Sequence, residues 1–381
     1  MNKQQMPVEV FPPGEYLIDE LEARSWSQTD FAKIIGRPVK TINEIVKNKR
    51  GITPDTARDF AAAFGTSAEF WLNLQKAYEI FKTGNSEREE RDRDISRKAG
   101  LYEKFPVADL VNNNWVQNSE SFDVLESRVL KFYGVQQTSD PLPLSYAAKS
   151  SDSLQEASNI QLAWLYKCAS LAKSVATPKY SEKKLKDSLE TLETFMLSVE
   201  EIRKIPEVLS ECGVRFVIVE PWKGSKICGV CFWLDDESPV IGMTLLHDRI
   251  DNFWFVLRHE IEHVLRGDGK NGAVIDEKGD NVNEFNSNAT DAAEKAANNA
   301  ASDFCVPSAE MTKFIARLNP VFEEKNVIGF AKRINRHPGL VVGQLQHATG
   351  RWNIFRKHLS KVRDAITKTA LTHGYGVNLT N

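Results

Sequence analysis

The stretch His259-Glu260-Ile261-Glu262-His263 follows the apolar run 253–257, and together they determine how the second half of the chain is organised. On a helix, residues four apart lie on the same face, so the two imidazole rings converge on one point. Two histidines at this spacing can bind a tetrahedral Zn²⁺, and the intervening Glu260 can act on a water that the metal activates. The other interpretation is an amphipathic helix whose histidines are merely solvated or hydrogen-bonded.

Apolar residues around this pair recur at helical spacing. Asp248 or Asp251 is predicted to cap the start of the helix, and Gly267 to end it. The pattern therefore predicts a buried helix that carries the histidine pair. Its apolar positions are Phe253, Trp254, Leu257, Ile261, Val264 and Leu265.

A catalytic zinc site needs a third protein ligand, with the fourth position left to water. Glu294 is the best candidate, because it opens an alanine-rich segment that ends before Pro307 and can pack closely as a helix. Asn298, one turn further on, could hold a ligand histidine through its other ring nitrogen. The alternative role for Glu294 is an acid that only stabilises the start of a helix. Other carboxylates lie in or beside a Gly/Asn/Asp-rich loop, a less rigid platform: Asp276, Glu277, Glu284 and Asp291.

Residues from about 205 to 310 resemble the ImmA/IrrE family of zinc metallopeptidases. The segments that carry the resemblance are strand-like runs at 214–219, 229–234 and 240–246, the run 252–255, the HExxH stretch, and residues 294–307. The resemblance implies a zincin-like fold with a small sheet, with His259, His263 and Glu294 as metal ligands and Glu260 as the general base. One position departs from the family pattern, because Glu262 stands where the family usually has glycine.

The other end of the chain carries a second, independent pattern. Residues 12–81 read as five short helices, of which the second has a serine cap at Ser27 and a glycine stop at Gly36. The next helix follows after a tight turn, which is a helix-turn-helix arrangement. The predicted core residues are Phe31, Ile34, Ile42, Ile45, Phe60 and Leu72.

Positive charge is concentrated on this second and third helix. Residues 33–50 contain six basic side chains and one acid, Glu44, a local net charge of plus five in a chain whose net charge is −3. Any DNA contact must therefore come from this segment and not from global attraction. Lys40, Thr41 and Asn43 are predicted to enter the major groove, and Lys47, Lys49 and Arg50 to contact phosphates. The alternative is a helical bundle with a solvated basic face.

The segment from Pro13 to about Phe81 resembles the HigA-type antitoxins of the Cro/C1 helix-turn-helix class. The resemblance rests on Pro13-Gly14-Glu15, Ser27-Gln28, Phe31-Ala32, Ile42, Ile45, Arg50-Gly51-Ile52-Thr53, Ala57 and the run 64–73. It implies binding to operator DNA, usually as a homodimer, in a bacterial or phage regulator. Antitoxins of that family are short, and this chain is much longer.

Composition places the chain among ordinary globular proteins, with 381 residues and 41% hydrophobic residues. Neither a signal peptide nor an apolar run long enough for a membrane span is present, so a cytoplasmic location is expected. Five scattered cysteines favour a reducing compartment over a disulfide framework. Cys228 and Cys231 are predicted to lie in a buried strand, and the histidines outside the HExxH stretch at 337, 347, 358 and 373 to lie on the surface.

The predicted fold class is α+β, mainly α. The predicted organisation is a helix-turn-helix domain at 1–81, a charged linker or exposed helix at 82–100, a helical middle region at 101–204, the peptidase-like domain at 205–310 and a helical C-terminal region at 311–381, with a basic helix at 356–363.

The sequence thus predicts a DNA-binding transcriptional regulator joined to a zinc-dependent metallopeptidase that cleaves a regulatory protein. The alternative is an autoregulated toxin–antitoxin component, an antitoxin-type protein whose peptidase-like domain only binds a toxin or ligand. Glu262 is the residue that favours this alternative. Expected partners are operator DNA, a protein substrate or toxin, and a second copy of the chain, with no membrane.

Overall fold

Helices make up most of the chain, and a small mixed sheet lies in its second half. The computed structural model describes residues 10–83, 86–144, 149–150, 157–222, 225–270, 273–277 and 292–375. Two compact units are present, Met1–Ala99 and Gly100–Asn381. Within the described ranges, no helix combines the length and the apolar character needed to cross a membrane.

The first unit contains the five predicted helices. Ser27 begins the second of them with a capping box. Its hydroxyl accepts a hydrogen bond of 3.1 Å from the backbone N–H of Asp30. In return, the Asp30 carboxylate accepts a hydrogen bond of 3.1 Å from the backbone N–H of Ser27. Gly36 then adopts a φ of +65°, which other residues rarely do, and allows the tight turn into the next helix. The helices are α1 (Pro13–Ala23), α2 (Gln28–Ile34), α3 (Val39–Val46), α4 (Pro54–Phe64) and α5 (Ala68–Thr83).

Aromatic rings fill the core of this unit. The ring of Phe31 lies 4.7 Å from that of Phe64 and 5.2 Å from that of Phe60, measured between centroids, and Phe60 lies 5.1 Å from Trp71. Trp71 is fully buried and was not among the predicted core residues. The large buried rings explain how so short a domain excludes water from its centre.

The predicted core of the first unit is confirmed except at one position. Phe31, Ile42, Ile45 and Phe60 are buried, and Leu72 packs at the edge of the same cluster. The prediction for Ile34 is wrong, since this side chain is 51% exposed. The reason is that α2 ends at Ile34, and the next residue, Ile35, packs on the core instead.

The charged stretch 82–100 is largely helical. It forms most of α6 (Ser86–Lys104), an exposed helix with ion pairs one turn apart, from Arg88 to Asp92 at 3.2 Å and from Lys98 to Asp94 at 3.0 Å. Each such pair stabilises an exposed helix by roughly 0.2–0.5 kcal/mol. The structure therefore agrees with an exposed helix at this position.

A six-stranded mixed sheet forms the centre of the second unit. Its strands are β1 (Lys149–Ser150), β2 (Arg215–Val219), β3 (Ile227–Trp233), β4 (Pro239–Met243), β5 (Val274–Glu277) and β6 (Leu371–His373), in the order β1-β5-β3-β4-β2-β6. β3 runs antiparallel to β4 and β5, and the other neighbours are parallel. Cys228 and Cys231 lie buried in β3, which confirms the strand predicted there.

Helices cover both faces of this sheet. Successive side chains of β2 point to opposite faces of the sheet. Phe216 and Ile218 belong to the hydrophobic cluster on one face, and Val217 and Val219 belong to the cluster on the other face. A strand buried on both faces is apolar at nearly every position, as β2 and β3 are. The helices are α7 (Val107–Asn112), α8 (Phe122–Tyr133), α9 (Asn159–Ala172), α10 (Glu182–Phe195), α11 (Ile205–Glu211), α12 (Ile250–Arg266), α13 (Ala292–Cys305), α14 (Ser308–Leu318), α15 (Glu324–Arg333), α16 (Pro338–Thr349) and α17 (Arg363–Ile366), with 3₁₀ segments at Val199–Lys204 and Arg356–His358.

The regions 101–204, 205–310 and 311–381 lie in the same unit. The middle region contributes α8 and α9 to one cluster on the sheet, and the C-terminal region contributes β6, which pairs with β2. The basic helix predicted at 356–363 is wrong. A 3₁₀ turn occupies its start, and α17 begins at Arg363, where Asp248 accepts hydrogen bonds from the backbone N–H groups of Val362 and Arg363 at 3.0 and 2.7 Å.

Candidate functional site

Helix α12 carries the histidine pair. It packs against β3 and β4, so His259 and His263 are each only 1% exposed and Glu260 is fully buried. The helix ends at Gly267, whose φ of +73° confirms the predicted stop. Neither Asp248 nor Asp251 caps the start of α12. The N-cap residue is Arg249, and the start of the helix has no side-chain cap hydrogen bond. Asp248 caps α17 instead.

Helix α13 brings the predicted third ligand to the same point. Ala297 and Ala301 are completely buried, and α13 makes extensive contact with α12. The carboxylate of Glu294 lies 3.5 Å from Nε2 of His259 and 3.3 Å from Nε2 of His263, and the two Nε2 atoms are 3.0 Å apart. Small side chains on α13 thus allow the close approach that sets this cluster.

The three buried side chains suit a metal ion. Each offers one ligand atom, and these atoms lie within 4.8 Å of one another. Nitrogen ligands about 2.0–2.1 Å from a tetrahedral zinc stand about 3.3 Å apart, close to the separations found here. Two histidines and one glutamate are also the donor set of a common class of catalytic zinc site.

The carboxylate of Glu260 lies against the backbone of β3. A Cβ built on Gly229 would stand 2.0 Å from Oε1 of Glu260 and 2.8 Å from its Cδ, so only glycine leaves room for this carboxylate. Glu260 follows His259 directly in α12. The strand and the helix therefore hold this carboxylate buried against Gly229.

Asp268 orients one of the histidines. Its Oδ2 atom lies 3.0 Å from Nδ1 of His263, which leaves Nε2 of that ring pointing towards the cluster. The hydrogen bond with His263 holds the pKa of the Asp268 carboxyl below its usual value. The main chain of Asp268 is fixed in turn, since its carbonyl oxygen accepts a hydrogen bond of 2.9 Å from Nε1 of Trp233. Carboxylates in this position fix the tautomer and orientation of ligand histidines.

Asn298 was predicted for this orienting role. The side chain follows Glu294 by one turn, as expected, but its Oδ1 atom is buried and has no hydrogen-bond partner among the described residues. At His263 the role belongs to Asp268, which the sequence analysis did not single out. The competing carboxylates Asp276, Glu277, Glu284 and Asp291 have side chains outside the described residues.

Glu262, the departure from the family pattern, forms an ion pair with Arg258. Its Oε2 atom accepts a hydrogen bond of 2.8 Å from Nη2 of Arg258, one turn earlier on α12. The Arg258 guanidinium also lies over the ring of Phe304, 5.7 Å from its centroid. The negative charge of Glu262 is therefore balanced by Arg258 within α12.

The predicted DNA-contacting residues lie on and just after α3. Lys40, Lys47, Lys49 and Arg50 are exposed. Glu44, the single acid of the segment, lies between two of them, 3.9 Å from Lys40 and 3.6 Å from Arg50. Lys40 and Arg50 therefore lie on one exposed surface beside Glu44, and Lys47 and Lys49 are exposed near them in sequence.

Two residues of this group are placed differently. Asn43 is half-buried, and its amide donates a hydrogen bond of 3.2 Å to the side chain of Gln28 at the start of α2. Thr41 is only 9% exposed, which does not support its predicted entry into the groove. It lies four residues before Ile45 and so shares the buried face of α3.

Comparison with known proteins identifies the first unit. The helix-turn-helix family HTH_3 matches residues 17–71, from α1 into α5. Virulence-associated protein I of Dichelobacter nodosus is 42% identical over 79 residues, which are 20% of this chain and 71% of that protein. The chain belongs to the helix-turn-helix family. The match to HTH_3 lies wholly within the first unit, which is a DNA-binding helix-turn-helix domain.

Solved structures similar to the chain include HigA-type antitoxins. An addiction module antidote protein of the HigA family from Coxiella burnetii is 36% identical and covers 23% of this chain and 95% of its own, with a TM-score of 0.22. A Pseudomonas aeruginosa protein, PA4674, solved in complex with its operator DNA, is 34% identical and covers 23% of this chain and 96% of its own, with a TM-score of 0.22. Each likeness covers about a quarter of the helix-turn-helix chain.

Proposed function

We propose that this helix-turn-helix protein is a transcriptional regulator whose second unit is a zinc-dependent metallopeptidase that cleaves a regulatory protein. The observation that carries the proposal is the convergence of His259, His263 and Glu294 on one buried point. Glu260 follows His259 in α12, and its carboxylate is buried against Gly229. Two imidazoles and a carboxylate lie within 3.0–3.5 Å of one another in the buried interior. Burying such polar groups costs free energy unless they are paired or bind a metal ion.

The roles of the residues follow from their positions. His259, His263 and Glu294 would hold the ion, and Asp268 keeps the ring of His263 in the orientation that presents Nε2. Zinc bound there would supply Lewis-acid chemistry for the attack of water on a peptide carbonyl. Glu260 accepts the proton from the attacking water and passes it to the leaving amine.

DNA binding by the first unit would use the exposed basic surface of Lys40, Lys47, Lys49 and Arg50. The three residues at the end of this segment suit phosphates, which fix the position of the domain on the duplex. Asn43, which carries an amide able to pair with an adenine edge, is the candidate for base recognition. Binding as a homodimer would place one such surface in each of two half-sites.

The peptidase proposal is tested by comparing the zinc-loaded protein with its Glu260→Gln variant. Each is incubated with purified candidate partners, a repressor and a toxin from the same organism, and the products are identified by mass spectrometry. Loss of the general base is expected to slow cleavage by about 10²–10⁴-fold while zinc content stays the same. Binding of that partner without any cleavage would instead favour a peptidase-like unit that only binds a toxin.

A further inference from the structure

Helix α3 of the first unit carries an exposed apolar side chain among its charged ones. Within α3, all of which the structure describes, Val39 is the one apolar residue that is largely open to solvent, with 42% of its surface exposed. The other apolar residues of the helix face inward, because Ile42 and Ile45 are buried and Val46 packs at the edge of the same core. Val39 therefore belongs to the surface of α3 that is turned away from the core.

The same surface carries the residues of α3 that were proposed to meet DNA. Val39 lies four residues before Asn43, so the two side chains share one face of the helix. Lys40, which follows Val39 directly, has a side chain that is 86% exposed. Thr41 is the other residue near the start of α3 with a methyl group, and it is only 9% exposed. Val39 is therefore the apolar group that the exposed face of α3 offers to a base pair.

Apolar contact in the major groove can distinguish one base from the other three. Thymine presents its C5-methyl group there and is recognised by apolar side chains, whereas side-chain amides pair with adenine. The residues near the start of a recognition helix contact the base edges, and Val39 is the first residue of α3. Its branched side chain is also stiff, so little rotamer freedom is lost when it meets a methyl group.

We propose that Val39 is a specificity-determining residue for DNA, which selects thymine through contact with its C5-methyl group in the major groove. This inference rests on the proposed entry of α3 into that groove. One helical turn advances about 5.4 Å and stacked base pairs are about 3.4 Å apart. The selected thymine therefore lies within about two base pairs of the base that Asn43 reads.

Replacement of thymine by deoxyuridine tests this contact, because the two bases differ only in the C5-methyl group. The full chain first selects duplexes from a random DNA pool, and one selected duplex is remade with deoxyuridine at one thymine at a time. Affinities are measured by fluorescence anisotropy at a fixed salt concentration. At one thymine the wild type is expected to lose about fourfold in affinity, which is what the burial of one methyl group contributes.

Three variants assign the effect to one side chain. Val39→Ala removes both γ-methyl groups from an exposed position, and it should bind the thymine duplex and the deoxyuridine duplex equally. Ile34→Ala, at an exposed apolar position on α2, is the matched control and should keep the fourfold difference. Asn43→Ala should also keep that difference while it loses the preference for a nearby adenine. A merely structural role of Val39 would lower the affinity for both duplexes by the same factor.

The outcomes separate this inference from the proposed groove binding. Discrimination against deoxyuridine that disappears in Val39→Ala and persists in Ile34→Ala supports the contact. Discrimination that persists in Val39→Ala, or that is absent at every thymine, overturns the role of Val39, and groove binding by α3 still stands if Asn43→Ala relaxes the sequence preference. If the pool yields no preferred sequence, or if neither Val39→Ala nor Asn43→Ala alters the preference, both proposals are overturned.

Discussion

Replacing Gly229 by alanine is the most direct structural test of how Glu260 is held. The new Cβ would stand 2.0 Å from Oε1 of Glu260 and 3.0 Å from Cγ1 of Val256, so the carboxylate must move by more than an ångström. Glu260 is fully buried and cannot swing into solvent. Overpacking of this kind costs roughly 1–3 kcal/mol. Without a clash, alanine in place of glycine inside a strand stabilises by about 0.5–1 kcal/mol.

The assay is the free energy of unfolding from urea titrations in EDTA, so that metal binding does not contribute. Gly229→Ala is expected to lose roughly 1–3 kcal/mol with Glu260 present, and less than about 0.5 kcal/mol when Glu260 is also changed to alanine. Gly329→Ala in helix α15 of the same unit is the control without a clash, because nothing lies within 4 Å of its added Cβ, and it is expected to stabilise by about 0.5–1 kcal/mol. An equal loss in both backgrounds, or a change in stability equal to that of Gly329→Ala, would refute the packing of Glu260 on β3.

Three further outcomes are expected. Asp268→Asn should weaken zinc binding about 10–100-fold in competition with a chelator, and unchanged affinity would show that Asp268 does not orient His263. Lys49→Ala should weaken binding to all DNA sequences and reduce the slope of log binding constant against log salt concentration by about one. Asn43→Ala should instead relax the sequence preference that the protein selects from a random DNA pool. Identical effects of the two variants would count against the division between phosphate and base contacts. Burial, and secondly the positive charge of Lys167, lower the pKa of His373 from 6.5 to about 4. Between these pH values the unfolded chain binds a proton at this side chain and the folded chain does not. The free energy of unfolding, measured in EDTA, should therefore fall as the pH drops from 6.5 to 4. His373→Gln should reduce this dependence of stability on pH, and His347→Gln, at an exposed position, should leave it unchanged. Equal slopes of stability against pH in the two variants would contradict the assignment to His373.

Local signals in the sequence were enough to predict the helices that carry both candidate sites. The serine cap at Ser27 and the glycines Gly36 and Gly267 act within a few residues of themselves, and each ends or begins a helix as predicted. The strand-like runs 214–219, 229–234 and 240–246, which carried the resemblance to the peptidase family, overlap β2, β3 and β4.

The features that were missed depend on contacts between distant segments. Asp268 acts through His263 and is itself fixed by Trp233 on β3, and Gly229 matters only because Glu260 packs on it. Neither relation has a signature at fixed spacing. The two-residue β1 and three-residue β6 are too short to show any periodicity, so the full strand order could not be predicted.

Burial of individual side chains was less predictable than the elements that carry them. Thr41 and Ile34 depart from what their polarity suggests in opposite directions, since the polar residue is buried in α3 and the apolar one is exposed at the end of α2. In each case the orientation of the helix on the aromatic core decides exposure, and polarity alone does not. The exposed positions of Lys47 and Lys49, which follow α3, were predicted because long charged side chains outside a helix core remain solvated.

The central claim is the metal site, and the zinc content of the purified full chain, measured by elemental mass spectrometry, tests it most directly. The account predicts about one zinc per chain in the wild type and in Glu260→Gln, and loss of that zinc in His263→Ala. No zinc in the wild type after incubation with the metal, or equal zinc in His263→Ala, would contradict it.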